Sequence, residues 1–381
     1  MKKEMTSATA AINALTLAKR SRGETVYNFA AGDPILPSHP AVIEAVTLAL
    51  QSELVLYPPV VGLDALRKEA LLWMGENYGA CYGMQNTLVT AGGKFALLAA
   101  MQAIVSQGDE VIIASPYWVS YPQMVELLGA KPVIARTEAK DGWKLNVKTL
   151  EKCITERSRV LILNNAANPT GILYAKEELE SLMECACKKG LIIISDEVYS
   201  EIIYDHEIFI SCGAFEKWRE QVIVVQSCSK NFAMTGWRIG FAFGPERWIR
   251  EMTAIQSQST SGPSTVSQWA AIAALKERKT IILTVRKAMQ KRRDLFVEMF
   301  NEQFYGQLPK PSSGLYAFIP LSIFNTEKDS AQMCNDLITT ANIACVPGVA
   351  FGQEGYMRMA FSEKREVLKE GLITLRKEMG S

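Results

Sequence analysis

At 381 residues the chain is long for a single hydrophobic core and fits one large domain with a smaller companion. Its 48% apolar and 21% charged residues are ordinary for a globular protein, and 41 basic against 40 acidic side chains leave no global field for nucleic acid or a membrane surface. Eight cysteines, none in C-x-x-C spacing, are too dilute for a disulfide framework, and two histidines, His39 and His206, exclude a two-histidine zinc motif; a reduced, cytoplasmic chain is expected.

The opening MKKEMTSATAAINALTLAKR imitates a secretory signal, but Glu4, the polar interruptions and the following KRSRG favour an N-terminal helix started by Ser7 or Thr9. No apolar run approaches the ~18 residues of a membrane span. From residue 88 onward, short β-branched runs alternate with helical patterns. Candidate strands are LVTAG (88–92), EVIIAS (110–115), KPVIAR (131–136), RVLILNN (159–165), LIIISD (191–196), QVIVVQS (221–227) and RIGFAFG (238–244). Several are apolar throughout, as expected of strands covered on both faces. Helix candidates such as KFALLAAMQAIVSQG and KEELESLMECACKKG lie between them. The alternation predicts an α/β domain around a mostly parallel seven-stranded sheet with helices on both faces. A long helical stretch follows, then candidate strands at YAFIPL (316–321), NIACVPG (342–348) and YMRMAF (356–361). The expected division is a large domain at 41–289 and a small α+β domain at 290–381, to which residues 1–40 belong.

Polar residues gather where these strands end: Asn168 after RVLILNNAA, Asp196 closing LIIIS, Tyr199 three residues later, Lys230 just past QVIVVQS. Ligands of such sheets bind beyond the carboxyl ends of the strands. Asp196 follows Ile192, Ile193 and Ile194, so its carboxylate needs a cationic partner unless it merely caps a helix. A Walker-type acid is the other alternative. It requires an upstream P-loop, and AGGKFA has Leu88 where the first glycine belongs and no Ser or Thr after Lys94. No G-x-G-x-x-G is present for a dinucleotide. In SCSKNFAMTGWRIG, Ser227, Ser229 and the planar fork of Arg238 suit a phosphate, together with the helix opened by AGG at 91–93. Lys230 is thereby left for other work. Trp118 in SPYWVSYP is a rim aromatic or a flat wall for a flat cofactor.

Together SAT at 7–9, YPPVVGLDALR, AGGK, SPYWVSYP, NPTG, SDEVY, SCSKNFAMTGWRIG, VPGVAFG and YMRMAF, in this order, resemble a class I pyridoxal-phosphate aminotransferase of fold type I, in its bacterial aspartate-type branch. The resemblance runs over nearly the whole chain. It implies pyridoxal 5'-phosphate held by Lys230 as a Schiff base, with Lys230 later moving the substrate proton. Asp196 would pair with the pyridine nitrogen, Asn168 and Tyr199 with the ring oxygen, and Trp118 with the ring face. Ser227, Ser229, Arg238, Gly93 and Lys94 would hold the phosphate, and Tyr57 would reach the phosphate of a neighbouring subunit, implying a homodimer. Arg358 matches the arginine that takes the α-carboxylate, near Gly32, Trp118 and Asn168, while Ser7, Thr9 and Lys94 resemble contacts to a distal carboxylate.

The implied reaction is transamination between aspartate and 2-oxoglutarate, ping-pong through pyridoxamine phosphate. Aromatic, prephenate-type or alanine substrates are the alternatives within the fold. A carbon–sulfur lyase and a non-catalytic regulator stand further off, the latter because the motifs begin at residue 7, without space for a DNA-binding domain. The chain departs from the branch in AAGDPILPSHP, where the branch has a GEPDF-like stretch, and in NNAANPTG, which lacks the usual lead-in proline.

Overall fold

A computed structural model of the protein describes residues 8–304 and 308–380. Its strands are β1 (Tyr27–Asn28), β2 (Thr87–Thr90), β3 (Glu110–Ser115), β4 (Lys131–Arg136), β5 (Ser158–Asn164), β6 (Ile192–Asp196), β7 (Val222–Ser227), β8 (Gly240–Phe243), β9 (Tyr316–Pro320), β10 (Ile343–Ala344), β11 (Val346–Pro347) and β12 (Tyr356–Ala360). Seven of them form one sheet in the order β2-β8-β7-β6-β5-β3-β4. Every pairing from β7 to β4 is parallel, and β8 runs antiparallel to both its neighbours.

The continuous apolar runs follow from burial on both faces. Alternate residues of one strand enter different layers: Leu161 and Ile193 pack in one core, Val160, Ile162 and Ile194 in the other. Helices cover both layers, among them Gly93–Ile104 and Lys176–Lys188.

The order of the sheet brings distant chain segments to one rim. Parallel β5, β6 and β7 end side by side at Asn164, Asp196 and Ser227. Because β8 is reversed, its first residue Gly240 lies opposite both Ser227 and Thr90, the end of β2. The chain also turns to opposite sides of β3, with β4 on one flank and β5 on the other, which opens a crevice at their carboxyl ends.

Boundaries differ from the expected ones where backbone angles forbid extension. The first strand stops at Thr90, because Gly92 has φ +92° and caps the next helix. Arg238 has φ +57°, so the RIGFAFG strand begins only at Gly240. NIACVPG divides at Cys345: Ile343 and Ala344 pair with Tyr27 and Asn28, a strand the sequence pattern leaves unsignalled, whereas β11 joins β12 and β9 in a separate sheet.

One 27-residue helix, Arg278–Phe304, runs through the expected boundary at 289/290. Arg286 and Arg293 bond toward the large sheet's loops at Glu201 and Asp205, while Arg292 bonds the carbonyls of Ile35 and Ser362.

Candidate active site

Above the rim lies a cavity of about 550 Å³. Its walls include Gly32, Gly93, Lys94, Trp118, Asn168, Asp196, Tyr199, Ser227, Ser229, Lys230, Arg238 and Arg358, so twelve residues singled out from the sequence converge on one space.

At one end the groups suit a dianion. Gly93 and Lys94 open the helix Gly93–Ile104, whose free N–H groups favour negative charge. A Cβ on Gly92 would lie 2.4 Å from Arg238 Nη2, and one on Gly240 would lie 2.4 Å from the carbonyl carbon of Gly92, so both glycines are required for the guanidinium and the helix start to meet. The Ser227 hydroxyl accepts from the Ser229 N–H at 3.0 Å and donates to the Ile239 carbonyl at 3.0 Å. The Ser229 hydroxyl accepts from Arg238 Nη1 at 3.5 Å, which leaves it on the Arg238 side of the cluster.

Asp196 lies opposite this end in character. It is 4% exposed, and its carboxylate accepts from the Tyr121 hydroxyl at 2.6 Å and the Val198 N–H at 3.3 Å. Burial pushes its carboxyl up to about 6, against the pull of those two donors. Among the described residues no cationic side chain bonds to it. A buried carboxylate so placed is a receptor for a cationic ring nitrogen. Lys230 stands on the one-turn helix Cys228–Asn231, with Nζ donating to the Gly32 carbonyl at 2.6 Å and lying 3.8 Å from Asp33 Oδ1. Trp118 supplies a flat wall; Lys94 Nζ sits 4.9 Å from its ring centre, and burial with Arg238 nearby pushes the Lys94 ammonium below its usual range.

The far wall comes from the smaller sheet. Arg358, central in β12 and 2% exposed, donates from Nη1 to Asn168 Oδ1 at 3.0 Å and from Nη2 to the Ala30 carbonyl at 2.6 Å. Its guanidinium lies 4.0 Å from the Tyr316 ring centre, and its buried Nε has no partner among the described residues. An orphaned donor on a buried cation is an open place for a carboxylate. The Tyr316 and Tyr199 hydroxyls are 3.0 Å apart. A Cβ on Gly32 would fall 1.9 Å from the Tyr316 hydroxyl, which explains glycine there.

Residues present therefore fit a phosphorylated, flat, cationic aldehyde: an anion cradle, an amine, an uncompensated carboxylate and an aromatic wall surround one cavity. Ser7 lies outside the described residues, and Thr9 is in the first turn of the helix Ala8–Ser21. Tyr57 is 96% exposed and does not line the cavity of its own chain. Sequence reasoning missed Tyr121, Tyr316, Asn13 and Asp33, all at or beside the cavity. Tyr121 carried a signal, lying in SPYWVSYP three residues beyond Trp118. Tyr316 carried none, since its partner Tyr199 is 117 residues away in the chain.

Comparison with known proteins agrees with this geometry. The family described as "Aminotransferase class I and II" matches residues 24–374. A "Probable aspartate/prephenate aminotransferase" of Thermus aquaticus is 36% identical over 96% of this chain and 94% of its own. A "Bifunctional aspartate aminotransferase and glutamate/aspartate-prephenate aminotransferase" of Petunia hybrida is 35% identical over 98% of this chain and 80% of its own. Among solved structures, the aspartate aminotransferase from Thermus thermophilus with maleate superposes with a TM-score of 0.92 at 34% identity, covering 98% of this chain and 96% of that one.

Proposed function

The chain belongs to the class I and II aminotransferases, a pyridoxal-phosphate-dependent family acting on amino and 2-oxo acids, and from that premise we propose that it transaminates between aspartate and 2-oxoglutarate. One observation carries the choice of substrate. Two cations face the same cavity from different walls, Arg358 with its open Nε and Lys94 against Trp118, as two carboxylates of one substrate require.

When bound, the cofactor supplies an electron sink and carries the amino group between the two half-reactions. Lys230 Nζ would hold its aldehyde carbon and, once released by the substrate amine, would take the proton from the substrate α-carbon and deliver it to that former aldehyde carbon, so that the amino group stays with the cofactor. Asp196 would hold the proton on the ring nitrogen, with Tyr121 orienting the carboxylate. Tyr199 and Asn168 would hydrogen-bond the ring oxygen, and Trp118 would offer its face to the ring. Ser227, Ser229, Arg238 and the N–H groups at Gly93 and Lys94 would hold the phosphate. Arg358 takes the α-carboxylate beside Gly32 and Asn168, and Lys94 takes the distal one, joined by Ser7 and Thr9.

Residues 290–381 with the first 40 form the smaller unit in this reading, and it carries Arg358 and Gly32. A homodimer completes the phosphate site through Tyr57 of the opposite copy. Support comes from exposed apolar side chains on this part of the chain: Leu56, next to Tyr57, is 72% exposed, and Leu48 and Leu50 on the preceding helix Pro40–Gln51 are each 62% exposed. Eight free thiols suit a reducing, cytoplasmic setting. Prephenate is a second amino acceptor for the same site, favoured by the activities for which the Thermus and Petunia relatives are named.

Single-turnover spectra of the loaded enzyme with a panel of amino acids test the substrate assignment. Aspartate and glutamate should convert the cofactor band fastest; faster conversion by alanine or phenylalanine, with aspartate inert, would overturn it.

A further inference from the structure

Four residues that face the cavity have an immediate chain neighbour in a second, fully internal polar layer. Glu197 follows Asp196, Ser200 follows Tyr199, Gln226 precedes Ser227 and Asn231 follows Lys230. Glu197, Gln226 and Asn231 are 0% exposed, and Ser200 is 2% exposed. They bond to one another. Asn231 Nδ2 donates to Ser200 Oγ at 3.1 Å and to Gln226 Oε1 at 3.5 Å, while Asn231 Oδ1 accepts from the Glu201 N–H at 3.2 Å. The Ser200 hydroxyl donates to Gln226 Oε1 at 3.2 Å, and Gln226 Nε2 donates to Glu197 Oε2 at 3.5 Å.

The Glu201 N–H can only donate, so it fixes the orientation of the Asn231 amide. Both ends of that amide are then engaged by the segment bearing Asp196 and Tyr199. The Lys230 helix has a single turn and too few residues to hold its own place, so these bonds tie it to that segment. A buried network with its members satisfied makes such a join rigid, and removing one member leaves others unpaired in an apolar interior.

We propose that Asn231 is a positioning residue for transamination, clamping the Lys230 turn to the Asp196–Tyr199 segment through Ser200, Gln226 and the Glu201 amide. It touches neither substrate nor cofactor and acts through where Lys230 Nζ is held. The inference rests on the role assigned to Lys230 above.

The test uses the enzyme loaded with pyridoxal phosphate and compares Asn231→Ala, Ser200→Ala and a control, Asp205→Asn, which weakens the remote Asp205–Arg293 ion pair. Turnover with aspartate and 2-oxoglutarate, visible circular dichroism of the bound cofactor and the melting temperature are measured together. Asn231→Ala is expected to lower kcat about 10- to 100-fold, since small misplacement of a reacting group has effects of that size, with KM changed less than about threefold. Its visible dichroism should fall to below about half. Ser200→Ala should shift kcat and dichroism in the same directions by less, and Asp205→Asn should lower only the melting temperature. Should Asn231→Ala, or Ser200→Ala where the first fails to fold, melt earlier yet keep wild-type kcat and dichroism, the layer is structural only and the proposal falls. Failure of the Lys230 role is read separately, as cofactor that stays covalently fixed to Lys230→Ala after borohydride reduction.

Discussion

The floor and the roof of the cavity are held in place by different means. The floor is a row of strand ends in one sheet, so Asn164, Asp196 and Ser227 are held by backbone ladders and by the polar layer beneath them. The roof has its own small ladder, in which Arg358 and Tyr316 sit, but it meets the floor through a few side-chain contacts, among them Arg358 to Asn168 and Tyr316 to Tyr199. A ladder fixes position to fractions of an ångström, and isolated side-chain bonds allow adjustment. In the proposed reading the cofactor contacts lie on the floor, where rigidity serves them. The α-carboxylate contact, Arg358, lies on the roof, where exchange of one acid for another needs some give.

The contrast is tested most severely by Lys230→Ala. Turnover should drop about 10³-fold or more, and the loss should appear in kcat, because the amine that moves the proton is gone. A floor residue whose removal changed KM alone would break the division. Arg358→Lys probes the roof: kcat/KM for aspartate should fall about 10- to 100-fold while the cofactor band stays unchanged, since a lysine cannot offer the planar fork. Gly32→Ala should be milder. The new methyl displaces the Tyr316 hydroxyl, so we expect a roughly tenfold fall in kcat/KM with cofactor affinity preserved, measured by equilibrium titration.

The smallest effect on turnover belongs to pH. Burial raises Glu197 from 4.5 to about 7 and Asp196 from 3.8 to about 6. Each carboxyl binds its proton more tightly folded than unfolded, so its stabilisation is whole below the unfolded value and is lost as pH rises through the folded one. Denaturant unfolding of the cofactor-free protein should therefore show stability falling between about pH 4 and 7, by at most on the order of 3 kcal/mol per group. Glu197→Gln should remove the upper part of that fall. Loading the cofactor should remove the part due to Asp196, and a flat profile in the cofactor-free protein would show both carboxyls to be ionised in place.

The floor was almost wholly legible in the sequence, and the roof was not. Continuous apolar runs announce strands covered on both faces, and a polar residue ending such a run must lie on the rim, so Asp196 and Lys230 could be found locally. Family motifs supplied Arg358, but its neighbours Tyr316 and Ala30 meet it only after the chain closes on itself across 328 residues in one case. Nor could periodicity reveal Arg238 in left-handed conformation or the division of NIACVPG between two sheets, since both are decided by tertiary partners.

The helix Arg278–Phe304 sets the mechanics of the whole molecule. At a rise of 1.5 Å per residue it is a rod about 40 Å long. It is pinned toward the floor by Arg286 and Arg293 and toward the roof by Arg292, within a span of eight residues. A hinge through that span has to bend or twist continuous helix, and it lacks the proline that would make a kink easy. The helix therefore works as a strut: floor and roof are anchored to the same rod, so a displacement of one is passed to the other through its bending stiffness.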